Sequence, residues 1–303
     1  MMLPRIAAHV FNTPLMVHQG KAAAIVAGLG SRMLGGAIDY SGPAAITHVA
    51  FENGRPSMGT LAEGVERRAQ QRMQPIYDQL SGAAIIPVEG TLVHKGAWVG
   101  SYSGDTSYEG LQAQITRARR DASVKGVVFE IDSYGGQVSG AFETAEMLFS
   151  LSREKPTIAI LTDNAHSAGY LLASACRSIV LPETGGCGSI GVITMHADYS
   201  KALDMQGVKV TMIAEGAHKA DFNPYEALPQ GVADAVRAQI AKTREKFCAT
   251  VAKHRGARLS FEAAMATESD CYVGEDAVKR GLADATGNPN EVFSAFISAL
   301  NRA

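Results

Sequence analysis

Three small-residue turns and one polar loop carry the side chains of this sequence that could do chemistry. The first turn is Ile131-Asp132-Ser133-Tyr134-Gly135-Gly136-Gln137-Val138, at the end of an apolar run. Paired glycines there let backbone N–H groups approach a ligand with no Cβ in the way, although a plain strand-to-helix turn would use the same residues. The turn is not G-x-G-x-x-G, so a dinucleotide site has little support. The second is Asn164-Ala165-His166-Ser167-Ala168-Gly169-Tyr170, where a serine opens a helix of small residues. A hydroxyl at that point gains from the positive helix end, which stabilises a developing anion; an ordinary N-cap serine is the alternative. It is not G-x-S-x-G, so an α/β-hydrolase reading lacks its signature. The third, Thr184 to Val192, sets glycines 185, 186, 188 and 191 around Ser189. That composition suits an edge passing close to another backbone, such as a bound extended peptide, or else a tight bulged turn.

A serine hydroxyl is unreactive at neutral pH without a base. His166 adjoins Ser167 in sequence, so the two side chains diverge. His218 lies in the polar loop Glu215-Gly216-Ala217-His218-Lys219-Ala220-Asp221 and is followed directly by Lys219. A lysine serves as base when burial lowers its pKa from ~10.4 towards ~7, a change of about 4 kcal/mol. Most loop lysines are simply solvated. Cys176, Cys187, Cys248 and Cys271 form no C-x-x-C pair and no zinc spacing with histidine, so free thiols are expected and no metal site.

The elements that must position these groups follow from the apolar pattern. Strand-like runs are expected at Ala84–Val88, Gly126–Ile131, Thr157–Leu161, Ser178–Leu181, Ile190–Met195 and Val208–Ile213. Helical periods lie between them, at Leu111–Asp121, Gly140–Ser152, Ser167–Cys176 and Tyr199–Gln206. Such alternation indicates an α/β layered domain with largely parallel pairing. A longer helix is expected over Gly231–Arg255, with an apolar stripe at Val232, Val236, Ile240, Phe247 and Val251. Short helices follow near Ser260–Met265 and Glu275–Arg280, and another from Asn290. Towards the N-terminus, helices are expected over Lys21–Met33 and Leu61–Leu80, joined by a Gly/Ser/Pro-rich connection over 36–60.

The 303 residues suffice for a sizeable core. With 28 Lys plus Arg against 30 Asp plus Glu, no basic excess favours nucleic acid. No run reaches the ~18 apolar residues of a membrane span, and a charged start, apolar run and cleavage site are not found at the N-terminus. A soluble, unexported chain is expected.

Taken in order, D-S-Y-G-G, H-S-A-G-Y-L-L-A-S-A, G-S-I-G-V and H-K-A-D resemble the signal peptide peptidase A family of serine–lysine proteases. The resemblance is stronger to its branch of capsid-processing (prohead) proteases of lambdoid phages, through Phe11-Asn12-Thr13-Pro14-Leu15-Met16, Asn223-Pro224-Tyr225 and Gly281-Leu282-Ala283-Asp284. It implies an α/β, ClpP/crotonase-like layered fold with repeated β-β-α units, an N-terminal helical extension and C-terminal helices. The implied divisions are 1–80 (extension with linker), 81–287 (peptidase domain) and 288–303 (C-terminal helix).

The implied nucleophile is Ser167 and the implied general base Lys219, forming a Ser–Lys dyad without metal or organic cofactor. Backbone N–H groups of Gly136 and Ala168 are candidates for the oxyanion hole, with Gly135, Gly188 and Ser189 facing substrate. The resemblance also implies a ring-like homo-oligomer, with serine and lysine supplied by adjacent units. Scaffold or major capsid protein would be the substrate, in portal-bearing proheads assembling in the host cytoplasm, with no nucleic-acid or membrane partner. Tyr134 departs from the proline common in the first motif, and His166 stands where a smaller residue is usual. Some relatives continue into a scaffold-like C-terminal region beyond the span of this sequence, so the scaffold is expected either as a separate protein or as a segment removed from this one. The alternatives are a general peptide-degrading protease, a non-catalytic capsid assembly factor, and a crotonase-like acyl-CoA enzyme working without the dyad.

Overall fold

The computed structural model describes residues 13–19, 22–23, 26, 76–96, 101–102 and 104–302. The expected connection over 36–60 lies outside them, as does most of the two expected N-terminal helices.

Four strands form the parallel centre: β3 (Ala83–Val93), β6 (Gly126–Gln137), β7 (Thr157–His166) and β8 (Ser178–Leu181). Beyond β3 lie β5 (Asp105–Ser107) and β4 (Ser101–Tyr102). On the far side, the end of β7 pairs with β9 (Gly186–Gly188), which pairs antiparallel with β10 (Cys271–Val273). A short parallel strand, β11 (Ala285–Thr286), adds to β8. Among the described residues of the first 80, two strands are formed. β1 (Leu15–Val17) runs antiparallel to residues 135–137 of β6, and β2 (Asp78–Leu80) pairs antiparallel with the start of β3.

Helices connect the parallel strands: α1 (Tyr108–Arg120) before β6, α2 (Ala141–Glu154) before β7 and α3 (Ala168–Ser174) before β8. Later come α4 (Ser200–Met205), α5 (Gln230–Arg255), α6 (Phe261–Ala266), α7 (Gly274–Lys279) and α8 (Pro289–Leu300). Side chains alternate across β6 and β7 with period two. Val127, Phe129, Ile131, Ala159 and Leu161 enter the main core with residues of α1, α2, α3 and α5. Val128, Ile158 and Ile160 point the other way, into a second cluster closed by Phe293, Phe296 and Leu300 of α8. The result is a mixed α/β sheet with helices on both faces.

Three expected elements differ. The end of the Leu61–Leu80 stretch is strand β2, because Ser81 and Gly82 both adopt positive φ (49° and 84°) and close a tight hairpin onto β3. Residues 190–195 are not a strand; the turn at Ser189 (φ 55°) ends the ladder, and an isolated bridge from Ile193 to Leu15 remains. Residues 208–213 are irregular, with Val208, Val210 and Ile213 exposed, and no described strand lies beside them to pair. In α5 the apolar stripe is buried only at Phe247 and Val251. The N-terminal half of that helix stands away from the core.

Candidate active site

Ser167 sits between the last residue of β7 and the first of α3, with φ 55° and ψ −119°. A non-glycine residue there carries about 1–3 kcal/mol of strain and persists only when its surroundings over-determine it. They do. Its N–H donates to the Gly188 carbonyl (2.8 Å), and its own carbonyl accepts from Leu171 N–H (2.9 Å). The residue is fully buried, and its Oγ has no hydrogen-bond partner. A buried hydroxyl left unpaired costs about 1–3 kcal/mol, which a purely structural serine would recover by turning to a carbonyl.

The paired glycines lie against it. Gly135 has φ +93°, and a Cβ built there would lie 2.1 Å from the Met16 carbonyl oxygen, 3.0 Å from Ser167 Cβ and 3.1 Å from the Ala168 nitrogen. Only glycine leaves room for these three groups to converge. A Cβ on Gly136 would fall 1.9 Å from the Leu92 carbonyl oxygen, so this glycine too is imposed by close backbone approach. Ser133 fixes the turn: its Oγ donates to the Gly90 carbonyl (2.7 Å) and accepts from Gly135 N–H (3.2 Å). The structure thus brings Gly135, Gly136, Ser167 and Ala168 together.

Gly188 and Ser189 form the opposite wall. Ser189 is buried with φ 55°, and its N–H donates to the Asp270 carbonyl (2.8 Å) just before β10. Its side chain meets Cys271, so it serves the β9–β10 junction rather than pointing freely at Ser167. The segment running on to Ile193 and the 135–137 end of β6 define a groove one strand wide, and β1 lies in it.

Sequence reasoning missed an aromatic group beside the serine. The rings of His18, Tyr134 and His166 lie with centroids 5.2–5.9 Å apart. Tyr134, the unusual residue of the first turn, accepts a hydrogen bond from Asn164 (3.0 Å), and Asn164 meets His166 Nε2 at 3.2 Å. Burial, reinforced by the neighbouring His18, pushes His166 down to about 4. It is therefore neutral at working pH, and its side chain is directed to Asn164 rather than to the Ser167 hydroxyl.

Lys219 is placed elsewhere. It is exposed, in a turn where its N–H donates to the Gly216 carbonyl (3.0 Å). It borders an open hollow of about 420 Å³ with Ile213, Asp221 and Asn223. His218 beside it pairs with Asp221 (2.8 Å) at the surface. Within one chain, then, the exposed Lys219 makes no hydrogen bond to the buried Ser167 hydroxyl. Around the lysine loop, Met205, Val208, Val210, Ile213 and Tyr225 are exposed apolar side chains.

The thiols offer no competing nucleophile. Burial pushes Cys187 up to about 12, and raises Cys176, Cys248 and Cys271 as well. Among the described residues no group of His, Cys, Asp and Glu could hold a metal ion, and no helix is long and apolar enough to cross a membrane.

The profile of peptidase family S49 matches residues 150–300, from the end of α2 through α8. The chain is 38% identical over 300 residues to the head-tail preconnector protein of Enterobacteria phage P21, covering 99% of this chain and 58% of that one. It is 33% identical over 302 residues to the capsid assembly protease of Escherichia phage lambda, covering 99% of this chain and 66% of that one. It therefore spans roughly three-fifths to two-thirds of the length of these relatives. Among solved structures, an enoyl-CoA hydratase/isomerase family member matches 74% of each chain at 12% identity, with a TM-score of 0.44. With its profile matched from the end of α2 onward and a phage capsid assembly protease aligned along nearly its whole length, the chain belongs to peptidase family S49.

Proposed function

We propose that this protein is a serine endopeptidase that cuts scaffold or capsid proteins in an assembling phage prohead. The observation that carries the reading is the buried, unpartnered hydroxyl of Ser167, on a strained backbone beside a glycine turn. Ser167 Oγ attacks the scissile carbonyl, and the oxyanion receives N–H groups from Gly136 and Ala168. Losing one such donor costs about 3–4 kcal/mol of transition-state stabilisation. The substrate lies extended between residues 135–137 and the 191–193 segment, with Gly135 and Gly188 leaving space for its backbone. The capsid-related names of the two phage relatives support the substrate class.

Lys219 acts as the base from a neighbouring subunit. A subunit interface would exclude water from this loop, the setting in which an amine can serve as a base. The exposed apolar side chains beside the lysine loop supply surface for such a contact. Head-to-tail contacts of this kind close into rings. The neutral amine then takes the serine proton and delivers it to the leaving nitrogen.

The test has two arms. Cognate scaffold and capsid proteins are incubated with wild type and with Ser167→Ala, and fragments are read by mass spectrometry; identical fragments from both would remove Ser167. Ser167→Ala and Lys219→Ala chains are then dissociated and reassembled together. About a quarter of sites in a cyclic assembly should regain both groups, and verified mixed rings without activity would place the dyad within one chain. A non-catalytic assembly factor would bind its partners and cut none in either arm.

A further inference from the structure

We propose that strand β1 is the enzyme's own first substrate, bound with the Met16–Val17 peptide at Ser167, and that this bond is an autoprocessing site. The inference rests on the peptidase reading above.

His18 N–H donates to the Tyr134 carbonyl (2.9 Å), and β1 continues antiparallel with Val17 opposite Gly135 and Met16 opposite Gly136. Hydrogen-bonded pairs alternate along an antiparallel ladder, so Met16 and Gly136 form the next such pair, and the Met16 carbonyl faces the Gly136 N–H. Gly136 is also the donor assigned to the oxyanion. The same carbonyl oxygen, Ser167 Cβ and the Ala168 nitrogen lie 2.1, 3.0 and 3.1 Å from a single point beside Gly135. The Met16 carbonyl therefore stands where a scissile carbonyl belongs.

The other edge of β1 is held as a substrate strand would be. Leu15 N–H donates to the Ile193 carbonyl (2.7 Å), and Ile193 N–H donates back to the Leu15 carbonyl (2.9 Å). Thr194 Oγ1 adds a bond to the Thr13 carbonyl (3.3 Å). The side chains alternate accordingly. Met16 is wholly buried in the main core, while Leu15 and Val17 turn to Ile193 and Met195 on the opposite side. The groove thus accepts a long, unbranched apolar side chain immediately before the cut bond.

Cleavage balances without an additional reagent beyond water. Ser167 Oγ bonds to the Met16 carbonyl carbon as its proton passes to neutral Lys219. The C–N bond to Val17 breaks, and the amine leaves with that proton. Water then hydrolyses the Met16 ester, giving a Met16 carboxylate and free Ser167. Residues 1–16 are released, and the groove opens to other chains.

The test uses the full-length protein and a synthetic peptide of residues 10–22. Intact mass and N-terminal sequencing should find a species beginning at Val17 in wild type and none in Ser167→Ala. The peptide should be cut after Met16, and a Met16→Asp peptide, which cannot misfold, should be cut roughly tenfold more slowly or worse. Wild type that cuts scaffold protein yet keeps its first 16 residues and spares the peptide would overturn this proposal alone. Wild type that cuts neither scaffold nor peptide, as Ser167→Ala, would overturn the peptidase reading and this proposal with it.

Discussion

His166 should make the fold acid-sensitive well above the carboxylate range. Its folded pKa is about 4, against 6.5 for an unperturbed histidine, because burial and the nearby His18 disfavour its charged form. The folded state consequently binds fewer protons than the unfolded chain between those values. The stability it contributes is whole above pH 6.5 and is lost as pH falls towards 4. Between pH 7 and pH 5 the unfolded chain takes up nearly one extra proton at this residue, worth about 2 kcal/mol. His254, also near 4 through burial against the opposing pull of Glu146, adds a similar loss. Urea unfolding of wild type and His166→Gln at both pH values, at one ionic strength, isolates the His166 share. Carboxylates titrate alike in the two proteins. The variant should lose about 2 kcal/mol less than wild type on going from pH 7 to pH 5. Equal losses would refute the burial argument for this ring.

Gly135→Ala should be damaging twice over, since φ +93° strains any side chain and the new methyl would strike the Met16 carbonyl; a loss of about 1–3 kcal/mol in thermal unfolding and faster hydrogen exchange across β1 are expected. Asp284→Ala should cost about 3–5 kcal/mol, because it strands the guanidinium of Arg255, whose side chain is 0% exposed and which donates to both carboxylate oxygens (2.9 and 3.0 Å). Burial raises the Asp284 pKa, but Arg255, the Ile179 N–H and Arg258 outweigh it and hold the carboxyl below its usual range; the pair should accordingly weaken as pH falls through that range, read as a shrinking wild-type advantage over Asp284→Ala. Lys219→Arg should retain the assembled form yet lose nearly all peptide cleavage, since a guanidinium stays protonated; activity within about tenfold of wild type would remove Lys219 as base.

The parallel centre was legible because period-two burial and helix-length gaps write themselves into composition. Ser178–Leu181 falls where the apolar run lies, and α2 and α5 begin and end within two residues of expectation. Two apolar runs misled for one reason. Val208–Ile213 has strand-like residues but no described strand beside it, and Ile190–Met195 meets β1 only at the single Leu15–Ile193 bridge; a strand exists only by virtue of its partner. Conversely, β1, only three residues long and directly following Pro14, is a strand only because β6 and Ile193 flank it. At the candidate site, the glycine pair and Ser167 were visible as residue types. The positive φ of Ser167, its unpaired hydroxyl and the His18–Tyr134–His166 cluster are products of tertiary closure. The exposure of Lys219 on an irregular loop is likewise invisible to spacing along the chain.

The Ser189 N–H bond to Asp270 and the β9–β10 ladder have a consequence for timing during synthesis. Ser167 takes its position from Gly188, and that strand is backed by residues 271–273, about a hundred positions further on. Contacts so distant in sequence form late, after the local helices and the parallel centre have closed. A nascent chain that has exposed Ser167 but not yet Asp270 holds the serine without its setting. The setting of Ser167 is thus a late property of the fold, and a ribosome-bound fragment ending before β10 carries the serine without the strand that backs Gly188.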